Sequence, residues 1–133
     1  MSRAGAGILD ARWAWGILSN QTSWHLLLDG DDFPYEKTVT INTNFNSVTR
    51  VAIYWTKNNT DIDHTTNMLG NNNPPLTNFD LQVYDAEGNL VASSATLYSN
   101  FEIVQFVPTS PGIYTIKITG TTDMQEYIGL ALW

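Results

Sequence analysis

Short segments in which apolar and polar residues alternate recur along the chain from residue 22 to its end. The clearest covers residues 77–84, where Phe79, Leu81 and Val83 alternate with polar side chains. A period of two residues places the two sets on opposite faces of a strand, so this segment predicts a half-buried β-strand. The same reasoning predicts further strands over residues 22–28, 36–43, 48–56, 101–107, 113–119 and 127–132.

A turn follows the clearest strand. In the stretch D-A-E-G at residues 85–88, Gly88 tolerates the positive φ that a bulged hairpin turn needs. Asp85 can accept hydrogen bonds from backbone amides across the bend. Leu90 then begins the return strand, which brings the count to about eight strands.

The order of these elements predicts the fold class. About eight strands joined by turns, with no long crossover helix, indicate an all-β fold, namely an antiparallel β-sandwich of the jelly-roll type. One short N-terminal helix is predicted over residues 11–18, with Asp10 as its N-cap and Asn20 as its end. Residues 57–78 form the longest segment without a pattern, and such connections are often functional.

Three stretches, in this order, resemble a known family. They read N-F-D-L-Q-V-Y-D-A-E-G-N at residues 78–89, S-N-F-E-I-V at residues 99–104 and P-G-I-Y-T-I-K-I-T-G at residues 111–120. The chain from residue 22 onward is similar to the β-sandwich, of the pre-peptidase C-terminal type, that follows the catalytic domain in many secreted bacterial subtilisin-like serine proteases. The resemblance implies a secreted, extracellular, non-catalytic accessory domain that supports stability, domain packing or substrate presentation.

The N-terminal stretch G-A-G-I-L-D-A-R-W-A at residues 5–14 resembles the last helix of that catalytic domain. This implies that residues 1–20 are the end of a catalytic domain, as helix plus linker, and that residues 21–133 are the accessory domain. The implied partner is the catalytic domain of the same polypeptide, and the apolar side chains of the helix predict self-association of separate copies. The alternative is a short amphipathic helix that belongs to the sandwich itself.

Composition narrows the classes of partner. The chain has 133 residues, enough for one domain, and its formal net charge of −7 argues against nucleic acid or an anionic membrane as a partner. No apolar run is long enough to predict a membrane span. Residues 1–20 lack the features of a signal peptide, so a secreted protein would carry its export signal elsewhere. No cysteine is present, which excludes disulfides and thiolate metal sites.

Catalytic residues are not predicted. A serine protease triad needs a serine, a histidine bonded to it and a carboxylate. The two histidines, His25 in an apolar strand and His64 in a polar loop, have no serine framed by glycines near them in sequence. The segment that resembles the protease also lacks its triad motifs, so we predict that this chain is not an enzyme.

Calcium is the predicted cofactor, because oxygen-rich loops offer the ligands that a hard cation prefers. The candidate ligands are Asn78, Asp80, Asn100 and Glu102. The family that the chain resembles usually has Asp and Leu where this chain has Asn78 and Phe79, so one negative charge is missing. The alternative is that Asp80 and Glu102 accept hydrogen bonds from backbone amides and bind no ion.

The alternative function is that of a carbohydrate-binding β-sandwich module. Aromatic side chains on the outside of a sheet offer flat apolar surfaces to sugar rings, although isolated exposed tyrosines also pair across strands. The candidates are Trp24, Tyr35, Tyr54, Tyr84, Tyr98 and Tyr127. The alternation places Tyr54, Tyr84 and Tyr127 on outward faces.

Overall fold

A computed structural model describes residues 22–42, 47–55, 77–96, 99–122 and 125–133 of the protein. These residues form eight strands and one short 3₁₀ turn, Gly30–Asp32, so the predicted all-β class is confirmed. The strands are β1 Ser23–Leu28, β2 Tyr35–Ile41, β3 Thr49–Trp55, β4 Asn78–Tyr84, β5 Leu90–Ser94, β6 Phe101–Phe106, β7 Gly112–Thr121 and β8 Glu126–Leu132. The predicted N-terminal helix lies outside the described residues, as does most of the long segment 57–78, and the boundary at residue 21 stays a prediction.

The eight strands form two antiparallel four-stranded sheets. Sheet A has the order β1-β8-β3-β6 and sheet B has the order β2-β7-β4-β5. Consecutive described strands alternate between the two sheets except at β4–β5, which are neighbours in sheet B. This order is that of a jelly roll, as predicted. Within the described ranges, no helix has the length and apolar character needed to cross a bilayer.

The core lies between the two sheets and is built by alternate residues of nearly every strand. Trp55 is fully buried, and its ring meets that of Phe79 edge to face at 5.0 Å between centroids. Phe33, which lies between β1 and β2, stacks on Phe79 with 5.0 Å between ring centroids. The fully buried aliphatic residues around them are Val51, Leu81, Val83, Ile116 and Ile118. Burial of these side chains is the main stabilising contribution to the fold.

The β4–β5 turn forms as predicted. Gly88 has a φ of 84°, and the Asp85 carboxylate accepts hydrogen bonds from the backbone N–H groups of Asn89 at 2.7 Å and Glu87 at 3.1 Å. These bonds, with that of Asn89 first, lower the pKa of Asp85 below its ordinary value. Asp85 therefore contributes stability above the ordinary carboxyl pKa, and that contribution is lost as the pH falls through the lowered value.

Each open side of the sandwich, where edge strands of the two sheets face each other, carries one inward-pointing charged residue. On the β1/β2 side, the Lys37 ammonium lies over the Trp24 ring, 4.6 Å from its centroid. On the β5/β6 side, Glu102 of β6 points toward the end of β5. The long stem of Lys37 and the carboxylate of Glu102 therefore help to close the two sides of the core.

The two outer faces differ in character. Sheet B presents threonines and charged residues, including an ion pair of 3.8 Å between Lys117 and Glu36. The described strands of sheet A present mostly apolar or small residues on this face and no Asp, Glu or Lys. Its outward residues are Ser23, His25, Leu27, Arg50, Ala52, Tyr54, Phe101, Ile103, Gln105, Tyr127, Gly129 and Ala131.

Candidate functional site

Glu102 is a buried carboxylate at the β5/β6 side of the sandwich. Its side chain lies on the same face of β6 as Val104 and Phe106, and it is 1% exposed. One carboxylate oxygen accepts a hydrogen bond from the Ser94 hydroxyl. The other accepts from the backbone N–H of Thr96 at 2.8 Å and from the Thr96 hydroxyl. These three donors satisfy a charge that would otherwise be costly to bury.

The register of sheet B explains why the donors reach Glu102. Ser94 lies opposite Leu81 in the β4–β5 ladder, so its side chain points inward with that of Leu81. Thr96 lies two residues past the end of β5, where its backbone N–H is no longer used by the ladder. Glu102 therefore ties the end of one sheet's edge strand to the edge strand of the other sheet.

Asn78 and Asp80 lie together on the opposite side of β4 from the buried Phe79. Burial, and then the negative charge of Glu102, raise the pKa of Asp80, while a hydrogen bond from the Asn78 side chain opposes this shift. The side-chain oxygen of Asn78 is buried and accepts no hydrogen bond. This corner of sheet B thus holds one carboxylate and one buried acceptor that lacks a donor.

Asn100 has a structural contact of its own. Its side-chain N–H donates to the Trp55 carbonyl at 3.2 Å, and the Trp55 N–H donates to the Asn100 carbonyl at 3.0 Å. These bonds extend the β3–β6 pairing by one residue. Of the four predicted ligands, Asp80 therefore interacts with Asn78 and with the charge of Glu102, whereas Asn100 is joined to Trp55.

These contacts bear on the calcium prediction. Calcium takes six to eight oxygens, and in this set both oxygens of Glu102 already accept hydrogen bonds. In the part of the chain that the structure describes, no group of three or more His, Asp or Glu side chains is arranged to hold a metal ion. Of the four predicted ligands, Asp80 and Asn78 are the two whose side chains contact each other. The calcium site stays a prediction.

The chain has two further acidic clusters, one in the 29–32 turn and one formed by Asp61 and Asp63. In the 29–32 turn, the Asp29 carboxylate accepts from the Asp31 N–H at 3.0 Å, and that of Asp32 accepts from the Asp29 N–H at 2.8 Å. This is a capping box, in which the carboxylates satisfy the first backbone donors of the 3₁₀ turn. Asp61 and Asp63 lie outside the described residues, as does His64.

We expect Asp80→Asn to raise the melting temperature in chelator at neutral pH by about 2 °C. The substitution removes a charge that burial and Glu102 disfavour. Because the pKa of Asp80 is raised in the folded state, its contribution to stability is lost as the pH rises through that value. The gain should therefore vanish below the ordinary carboxyl pKa of about 4. Differential scanning calorimetry across this pH range measures it.

Glu87→Gln, in the exposed β4–β5 turn, controls for the loss of one negative charge. Calcium that bound the folded chain through Asp80 would raise the midpoint of the wild type and would add nothing to Asp80→Asn. Equal midpoints of the wild type in calcium and in chelator would retire the calcium prediction. A lower midpoint for Asp80→Asn in chelator would contradict the electrostatic account.

A groove lies on the outer face of sheet A, across β1, β8 and β3. Gly129 of β8 pairs with His25 of β1 on one side and with Tyr54 of β3 on the other. The groove has a volume of about 240 Å³, and its outward lining residues are Ser23, His25, Ala52, Tyr54, Gly129 and Ala131. Its floor is low because the outward positions of β8 at this point carry only glycine and alanine.

Tyr54 lines this groove, and Tyr127 lies near it on the same outer face, two residues before Gly129. Tyr54 is 55% exposed, and Tyr127 is 71% exposed. Residues in this diagonal relation on neighbouring strands have Cα atoms about 7–8 Å apart. The predicted outward placement of both is confirmed, and the register brings them to one face.

The other predicted aromatic residues lie elsewhere. Tyr84 is outward, as predicted, but on sheet B, where its hydroxyl donates to the Gln82 side chain at 3.1 Å. Trp24 points inward toward Lys37, and Tyr35 is half-buried against the core. Tyr98 lies outside the described residues. Only Tyr54 and Tyr127 of the set therefore share a surface within the described ranges.

Sequence reasoning missed the groove floor and the donors to Glu102. The signal for the floor was the pair of small residues at alternate positions of β8, Gly129 and Ala131. Ala131 lies opposite a third small residue, Ala52. The signal for the donors was the hydroxyl-rich stretch S-S-A-T at residues 93–96, directly after an alternating strand. Neither signal indicates by itself which strand lies opposite.

The strand order defines the class of this protein as a jelly-roll β-sandwich. The sandwich has a buried, hydrogen-bonded carboxylate, that of Glu102, on its β5/β6 side. It also has a groove lined by Tyr54 on the outer face of sheet A. Comparisons of the chain with known protein families and with curated proteins found no match.

Proposed function

We propose that this sandwich is a non-catalytic accessory domain of a secreted subtilisin-like serine protease. The observation that carries the proposal is the place of the three stretches that resemble this family. Residues 78–89 form β4 and its turn, residues 99–104 include most of β6, and residues 111–120 form most of β7. Together they supply much of the buried interior and the Glu102 contact between the sheets.

The proposed role is to stabilise the catalytic domain of the same polypeptide, to pack against it or to present substrate to it. A rigid sandwich suits this role because a core of buried aliphatic and aromatic side chains resists local opening. The accessory domain would act outside the cell, after export directed by a signal elsewhere in the precursor. The proposal includes calcium only as an ion held by Asp80 and Asn78, and the melting experiment on Asp80→Asn tests this binding.

The first test is the coding sequence of the parent gene. We expect an open reading frame that continues upstream of the codon for Gly5 and encodes the triad of a subtilisin-like protease. A frame that encodes a different domain at this point would overturn the proposal. This observation requires no folded protein and is independent of any ligand.

The second test is deletion of residues 22–133 from the parent protease. We expect the half-life at elevated temperature to fall several-fold, because the contacts between the domains stabilise the folded state. The kcat/KM for a short peptide should stay within about twofold, since the sandwich is proposed to contribute no catalytic group. A large loss of kcat on a short peptide, at a temperature where the truncated enzyme stays folded, would contradict the non-catalytic role.

A further inference from the structure

We propose that the groove on the outer face of sheet A binds a sugar ring of an uncharged polysaccharide, with Tyr54 and Tyr127 as the stacking residues. The groove is floored by Gly129, Ala52 and Ala131, so a flat ring can approach the backbone between the taller side chains. Its volume of about 240 Å³ suits one ring with its substituents rather than a large ligand.

The exposed tyrosines supply the apolar part of such a site. The face of a tyrosine ring is electron-rich, and it attracts the C–H groups that cover one face of a pyranose. Both tyrosines are more than half exposed. His25 and Ser23 on β1 lie along the other side of the groove and can exchange hydrogen bonds with sugar hydroxyls.

The charge distribution favours an uncharged ligand. The chain carries a net charge of −7, yet the outer face of sheet A has no carboxylate among its described residues and has Arg50 as its one permanently charged side chain. Neither a strongly anionic nor a cationic ligand finds a matching cluster of charges at the groove. An uncharged sugar requires none.

The backbone beneath the groove argues against an extended peptide. β8 is paired with β1 on one side and with β3 on the other, and β3 is paired with β6. The backbone N–H and C=O groups of β8 and β3 under the groove are therefore used within the sheet, and a peptide cannot add to these two strands as a new strand. Ring faces and a few polar side chains remain, which suits a sugar better than a peptide main chain.

Tyr84 provides a matched control on the other sheet. It is also outward, but its hydroxyl donates to Gln82 and the Lys117 ammonium lies 6.0 Å from its ring centroid. The hollow that Tyr84 lines also contains Glu36, Asp85 and Lys117, so its surroundings are charged, unlike those of the sheet A groove. Loss of this tyrosine should leave sugar binding unchanged.

The experiment is electrophoresis of the native chain through gels cast with hydroxyethyl cellulose, xylan or glucomannan, beside a gel without polysaccharide. We expect retardation in at least one of these gels, and a loss of at least about tenfold in affinity for Tyr54→Ala and Tyr127→Ala, as for the loss of one stacking ring. Tyr84→Ala should be retarded like the wild type. Thermal melts establish that each variant is folded.

Gly129→Leu tests the groove without removing a tyrosine. A Cβ at position 129 would meet only the Tyr54 carbonyl oxygen, at an ordinary distance of 3.8 Å, so the larger side chain projects outward and fills the groove. We expect this variant to fold and to lose retardation. Gly129→Ala, which adds a single methyl group, should keep most of it.

Absence of retardation of the wild type in all three gels would overturn the proposal. So would retardation that survives in folded Gly129→Leu, because binding would then lie elsewhere. A wild-type chain that is dimeric by light scattering and becomes monomeric in Gly129→Leu would instead identify a second copy as the occupant of this face. None of these results depends on whether the parent protein is a protease, which the gene sequence decides separately.

Discussion

Gly120→Ala is expected to destabilise the fold by about 3 kcal/mol, a large share of the roughly 5–15 kcal/mol by which a domain is ordinarily stable. Gly120 of β7 pairs with Phe79 of β4. A Cβ at position 120 would lie 2.1 Å from the Asn78 carbonyl oxygen, 2.7 Å from Phe79 Cδ1 and 2.9 Å from Phe79 Cα. Two of these atoms belong to the backbone of a central strand, which cannot move aside without breaking the sheet.

Gly112→Ala is the matched control for this prediction. Gly112 begins the same strand and has the same φ of 156°, but a Cβ there would meet nothing within 4 Å. Any cost of placing a side chain on this backbone conformation is common to both variants. The difference between their unfolding free energies in urea therefore measures the steric conflict alone. Equal losses would show that conformation, rather than contact with β4, requires the glycine.

Glu102→Ala is expected to lower the free energy of unfolding by about 3 kcal/mol. The substitution leaves the Ser94 hydroxyl and both Thr96 donors without their acceptor, and it opens a cavity between β5 and β6. Glu102→Gln keeps one oxygen for the Thr96 donors, and the Ser94 hydroxyl can accept from the new amide instead of donating. We therefore expect the glutamine variant to lose about 1 kcal/mol or less.

Urea unfolding of both variants in chelator and in calcium separates two roles of Glu102. If the carboxylate serves only the hydroxyl and amide donors, both losses should be the same with and without calcium. If the glutamine variant loses as much unfolding free energy as the alanine variant, and does so only in calcium, then Glu102 binds a cation. The account in which Glu102 acts only as a hydrogen-bond acceptor would then be wrong. The thermal melts of Asp80→Asn test for the same ion through a second candidate ligand.

The strands could be predicted because their determinants are local. In β4 and β8, apolar residues at every second position meet the opposite sheet, and hydrophobic burial enforces that register without help from distant residues. Trp55 follows the same rule. The Asp85 turn was equally predictable, since its hydrogen bonds join residues no more than four positions apart.

The sites could not be predicted to the same extent because they join strands far apart in sequence. The alternation places Glu102 on the inward face of β6, but it does not reveal that β5 lies opposite and supplies Ser94. The groove similarly needs β1, β8 and β3 side by side, a neighbourhood set by the jelly-roll order. Asn100 illustrates the limit, because a residue type that suits a calcium ligand instead bonds to Trp55.

Lys37 and Glu102 have a consequence for the behaviour of the protein at high concentration. Both lie on strands at the margin of a sheet, β2 and β6, and both point their charge toward the interior. A strand from another molecule that added to either margin would extend the sheet past this charge and would have to bury or displace it. Inward-pointing charges of this kind disfavour the edge-to-edge growth that leads to amyloid-like aggregation. The residues that close the sandwich thereby also protect the β2 and β6 margins from polymerisation.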